Sequence, residues 1–142
     1  MNSKLRKQTT SGFYCGPWAI AYAQGTDYET AEDQVKKCRS KYTKNFNRKV
    51  QGMWKWEVET VLGKQFKRYE DFREGCSAYG AEWFDRPTLA KWLKTHKGRF
   101  IVNVKGHYII VDGRKIYDNN GIDCFSGDYP HRRQRVHAYM EF

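Results

Sequence analysis

The segment "GFYCGPWAIAYAQG", Gly12 to Gly25, sets a cysteine directly before Gly-Pro at the mouth of a short apolar run. Pro17 suits the first turn of a helix, where its missing N–H costs nothing, and Gly25 fits the C-terminal stop. Cys15 then stands at a helix N-terminus, where unpaired N–H groups and a partial positive charge stabilise a thiolate. The same N–H groups can hold an oxyanion formed on an attacked carbonyl. Gly16 leaves room for a close backbone approach. A nucleophile has a use for this position. The plainer alternative is a small buried residue at a helix start.

A nucleophilic thiol needs a base, and the base needs an orienting group. His96 lies at a helix end beside lysines, and His131 and His137 sit in or beside an arginine cluster. His107 opens the apolar strand "GHYIIVDG". The following "VDGR" reads as a hairpin with a two-residue loop, Asp112-Gly113, at its tip. That register sets Val111 against Arg114, Ile109 against Ile116 and His107 against Asp118. Directly opposite residues have Cβ atoms about 5 Å apart, so a carboxylate can fix one imidazole tautomer and support its charge. On this register Ile109, Val111 and Ile116 continue the face of His107 that looks toward Cys15. Tyr108, Ile110 and Tyr117 line the other face, and Asn119 falls there too, opposite Gly106.

The elements that must position these groups follow from periodicity. "PWAIAYAQ" predicts a helix. Thr26-Asp27-Tyr28-Glu29 is a capping-box pattern that opens a second helix, to about Cys38. Met53, Trp54, Val58, Val61 and Leu62 recur at helical spacing, closed by Gly63. Lys64–Phe72 reads as a strand, Arg73–Phe84 carries no readable pattern, and Asp85 is expected to cap a helix over Arg86–His96. From Arg99 the period becomes two, giving strands over "RFIVNV", "HYIIVD", "RKIYD" and, at the C-terminus, "RVHAYMEF". Helices in the first half and antiparallel strands in the second make an α+β layout. At 142 residues, one domain over 1–142 is the expectation.

Aromatic residues make up 16% of the chain and charged residues 30%, which excludes a disordered protein. No apolar run reaches transmembrane length and no secretory h-region opens the chain, so a cytoplasmic location is expected, with no membrane span. The formal net charge of +10 favours acidic partners. Lys36–Lys49 holds seven Lys or Arg residues and no acid. It fits either a groove for a phosphate backbone or, the favoured reading, a solvated helix end and loop. Cys15, Cys38, Cys76 and Cys124 lack zinc-site spacing and are expected as free thiols. No metal or organic cofactor is implied.

"YCGPWAIAYA", followed much later by "GHYIIVDGRKIYD", resembles the papain-like cysteine peptidases, and within them the compact branch that processes double-glycine bacteriocin leaders, with its phage and bacterial relatives. The resemblance spans roughly Gln8 to Asp118. It implies a papain-like α+β fold, N-terminal helices packed on an antiparallel sheet, and a hydrolase that cleaves a peptide or isopeptide bond through a thioester. Cys15 matches the nucleophile, His107 the general base and acid, and Asp118 the orienting residue. Gln8 is the only glutamine available for the oxyanion hole, one residue further from the cysteine than the family spacing. Asn119 is the alternative orienting residue, ranked below Asp118. The substrate expected is a peptide or protein, acidic ones suiting the charge. Two rivals stand beside this reading: a deamidase or acyltransferase using the same triad, and a non-catalytic basic module that binds nucleic acid or an acidic protein.

Overall fold

The computed structural model describes residues 13–69, 81–82 and 86–142. Among them are four α-helices: α1 (Cys15–Gln24), α2 (Tyr28–Arg39), α3 (Lys55–Leu62) and α4 (Leu89–Leu93). The strands are β1 (Lys67–Tyr69), β2 (Ala81–Glu82), β3 (Arg99–Val104), β4 (His107–Asp112), β5 (Lys115–Tyr117), β6 (Asp123–Phe125) and β7 (Val136–Glu141). They form one sheet in the order β2-β1-β7-β3-β4-β5-β6. Six strands pair antiparallel, and β2 adds to the β1 edge in parallel. The architecture is α+β.

Helix α1 begins at Cys15, so Pro17 is its third residue, and Gly25 ends it with φ 73°. It is buried continuously from Gly16 to Tyr22, as befits a helix apolar on every side, and it packs on α2, α3 and β4. Helix α2 is capped by Asp27 rather than Thr26: the carboxylate accepts the Thr30 N–H at 2.8 Å. In α3 the cap is Trp54, whose N–H donates to Glu57 Oε1 at 3.0 Å. Helix α4 is shorter than the Arg86–His96 expectation, and Thr88 caps it, its hydroxyl accepting from Lys91 N–H at 3.2 Å. Asp85, the expected cap, lies outside the described residues, as do Glu70–Phe72 of the expected strand.

The sheet separates two apolar layers. On one side Tyr108, Ile110 and Tyr117 pack with Trp18, Ile20 and Tyr22 of α1. On the other, Ile109, Val111 and Ile116 pack with Leu89 and Trp92 of α4. The expectation that the Ile109 face looks toward the helix of Cys15 is therefore corrected; it looks toward α4.

The β4–β5 hairpin register also differs from the sequence expectation. The loop is Gly113-Arg114, and the pairs are Ile110 with Tyr117, Val111 with Ile116 and Asp112 with Lys115. Gly113 takes φ 62° at the first loop position, where a primed turn needs positive φ. Asp112 is held back in the strand because Tyr22 Oη donates to its carboxylate at 2.8 Å and Arg99 Nε lies 3.3 Å away. The pairing slips by two residues. A slip of two, unlike a slip of one, leaves every side chain on its own face, so His107 and Asp118 stay on one face as diagonal rather than opposite neighbours.

Candidate active site

The bond from Tyr22 to Asp112 at the far end of β4 aligns α1 with that strand, and it brings the start of the helix to the start of the strand. Cys15 and His107 meet there. Cys15 is the first residue of α1, and its cap, Tyr14, makes no side-chain capping bond. The first ring of the helix closes from Trp18 N–H to Tyr14 C=O at 3.1 Å. Pro17 has no N–H, so Cys15 and Gly16 supply the N–H groups of the first turn. Gly16 is glycine for a reason the sequence did not disclose. A Cβ there would stand 2.6 Å from Met53 Sδ, so it is the Met53 side chain that fills the space.

Each residue around the thiol is fixed. The Phe13 ring stacks on Tyr28 with centroids 4.2 Å apart, and Tyr14 N–H donates to Tyr28 Oη at 3.1 Å. Asn119 Nδ2 donates to Phe13 C=O at 2.9 Å. The alternative orienting residue thus holds the backbone leading to Cys15 and does not meet the imidazole. Asn103 Nδ2 donates to His107 C=O at 3.3 Å.

Asp118 is 2% exposed and sits where the chain leaves β5. Its C=O accepts Gly121 N–H at 3.1 Å, and its Oδ1 accepts Asn120 N–H at 2.6 Å, an Asx turn. That leaves Oδ2 for two donors: His107 Nε2 at 3.3 Å and Tyr129 Oη at 3.4 Å. With Nε2 engaged, Nδ1 is the nitrogen left to face Cys15, which lines the same cleft as His107.

Burial alone would lower the pKa of His107. The hydrogen bond to Asp118 and its charge, with Cys15 beside the ring, overcome it and push the imidazole up to about 9. At neutral pH it is an imidazolium. Burial likewise raises the Asp118 carboxyl, but the His107 hydrogen bond, the Asn120 N–H, the imidazolium charge and the Tyr129 hydroxyl together hold it below the usual carboxylate range.

Cys15 and His107 open into a cleft of about 550 Å³, walled by Gln51–Lys55 and by Tyr108, Asn120 and His137, with Asp118 buried behind the imidazole. Tyr108 Oη ties the wall to β4 through Met53 C=O at 3.0 Å. Behind the wall lies Glu57, 2% exposed. It binds Arg39 through two hydrogen bonds of 2.7 and 3.1 Å and Tyr42 Oη at 2.8 Å, while Arg39 Nη2 reaches Gly52 C=O at 2.7 Å. One member of the basic segment is thus a structural clamp, not a solvated charge.

Among the other candidates, Gln8 and Cys76 lie outside the described residues. Cys38 and Cys124 are free thiols, and burial with nearby Asp128 and Asp123 pushes the Cys124 thiol up. His96 stacks on Trp92, away from the cleft. Among the described residues no three His, Cys, Asp or Glu side chains converge as a metal site, and no helix is long and apolar enough to cross a membrane. Sequence reasoning missed Tyr129 and the Glu57–Arg39–Tyr42 clamp, because both act through contacts with residues distant in the chain. No family model, curated protein or solved structure matches the chain.

Proposed function

We propose that this chain is a papain-like thiol hydrolase that cleaves a peptide or isopeptide bond through a thioester on Cys15. One observation carries the reading: His107 hydrogen-bonds the buried Asp118 and shares an open cleft with Cys15, the first residue of α1. In the reaction His107 carries the proton of the Cys15 thiol, and Cys15 attacks as thiolate. Sulfur bonds to the carbonyl carbon, and the oxyanion faces the N–H groups of Cys15 and Gly16. His107 gives its proton to the leaving nitrogen as the C–N bond breaks. The neutral imidazole then takes a proton from water, hydroxide adds to the thioester, and the C–S bond breaks to return the thiolate and a carboxylic acid. Asp118 keeps Nε2 occupied and Nδ1 aimed at sulfur throughout.

The test is digestion of a tryptic peptide library with mass-spectrometric mapping of new termini. New termini made by the wild type and absent with Cys15→Ala are expected. Ammonia release without new termini would move the chemistry to deamidation, and the absence of both products would end the hydrolase reading.

A further inference from the structure

Beside the cleft the surface changes character. From Ser40 to Trp56 the sequence holds five Lys or Arg residues and no acid, and the next residue, Glu57, is buried and already paired with Arg39. Lys49 Nζ stands 5.3 Å over the ring of Tyr14, the residue before Cys15. Lys44 and Arg48 are exposed on the same turn. Trp54, on the cleft wall, is 71% exposed, and Trp56 and Tyr42, 46% and 50% exposed, lie with ring centroids 5.1 Å apart. The Glu57 clamp binds Arg39, Tyr42 and the Trp54 N–H at once, so the basic turn and the cleft wall are one fixed body. No carboxylate is among the described residues that line the cleft.

A group of large aromatic rings left in water beside a cleft marks a surface that is covered in use. We propose that this surface is the track for the polypeptide that runs out of the cleft, and that it selects substrates whose residues flanking the scissile bond are acidic and include an aromatic or aliphatic side chain. The inference rests on the hydrolase reading, which makes the group in the cleft an amide and the chain leaving it a polypeptide. Trp54 takes the apolar side chain, while Lys44, Arg48 and Lys49 take the acids. Each exposed ion pair is weak on its own and is screened by salt, so the selection comes from several acting together and falls as ionic strength rises.

The same tryptic library, cut by wild type and by Lys44→Glu/Arg48→Glu/Lys49→Glu at low and physiological salt, tests this. In the wild type, Asp and Glu are expected to be enriched by about twofold or more within a few residues of the cuts on one side, as a handful of weak pairs would give. The enrichment shrinks with salt and disappears in the triple variant, and Trp54→Ala loses the apolar preference. Cuts flanked by acids at background frequency overturn the substrate proposal and leave the hydrolase reading standing. A library left uncut, with Cys15 still fast-alkylating, overturns both. If Cys15→Ala binds a labelled single-stranded DNA more tightly than an acidic, Phe-containing peptide of equal charge, the surface belongs to nucleic acid and the proposal falls.

Discussion

Replacing Asp118 by Ala removes the group that holds His107, and the structure gives the size of the effect. The imidazole stands at about 9 instead of 6.5, a difference worth roughly 3 kcal/mol at about 1.4 kcal/mol per pKa unit. Asp118 and Cys15 share that support against the opposing effect of burial. Without the carboxylate the His107 pKa falls, the imidazolium is lost toward neutral pH, and Nε2 no longer fixes the ring. Loss of an orienting carboxylate lowers turnover by about two to four orders of magnitude, or roughly 3 to 5 kcal/mol of transition-state stabilisation. Two readouts check this on one sample: kcat and KM on a cleaved library peptide, and the His107 titration followed by NMR. A drop in kcat with KM little changed, and a lowered His107 pKa, are expected. Asn119→Ala acts differently, loosening Phe13 without moving that titration. The reasoning is refuted if Asp118→Ala keeps kcat within a few-fold of wild type with the His107 titration unmoved.

Tyr129→Phe removes the second donor on Asp118 Oδ2 while keeping the buried ring; that oxygen then accepts from His107 alone, so the His107 pKa rises by NMR and the alkaline limb of the pH–rate profile moves up with it, a shift that simple loss of packing would not produce. Arg39→Ala leaves the Glu57 carboxylate buried without its partner, and thermal unfolding is expected to show destabilisation of about 3 to 5 kcal/mol, with Gln at position 57 in the double variant recovering part of it. Gly16→Ala drives a methyl into Met53, and a crystal structure is expected to find Met53 displaced into the cleft, with KM raised more than stability is lowered. His107, raised above its unfolded value of 6.5 to about 9, contributes stability that is whole below pH 6.5 and is lost as pH climbs through 9; chemical denaturation across that window is expected to report the loss in wild type and not in His107→Ala.

Much of the site was legible because it rests on local rules. The Gly25 stop and the apolar run from Pro17 set α1, and the change to period two after Arg99 set β3, β4, β5 and β7. The partnership of His107 with Asp118 was legible from spacing even though its register was misread. Asp-Gly was taken as the loop, whereas Tyr22 and Arg99 keep Asp112 in the strand and push the turn one residue on. Those contacts come from residues far away in sequence, and no local pattern announces them. The face of Ile109 was assigned wrongly for the same reason: alternation tells which residues share a face, not which helix covers it. Strand β6 gave no signal because it is a three-residue edge with Asp123 and Phe125 exposed. The clamp at Glu57 was invisible because an acid three residues after the helix cap reads first as a surface residue of the opening turn.

The most direct test of the central claim, that Cys15 and His107 form the nucleophilic pair, is a brief iodoacetamide pulse at pH 6.5 followed by peptide mapping of all four cysteines. Thiolates react and thiols do not. Cys15 is expected to label far ahead of Cys38, Cys76 and Cys124, and to lose that lead in His107→Ala. Uniform labelling, a lead by another cysteine, or a Cys15 rate that ignores loss of His107 would contradict the account.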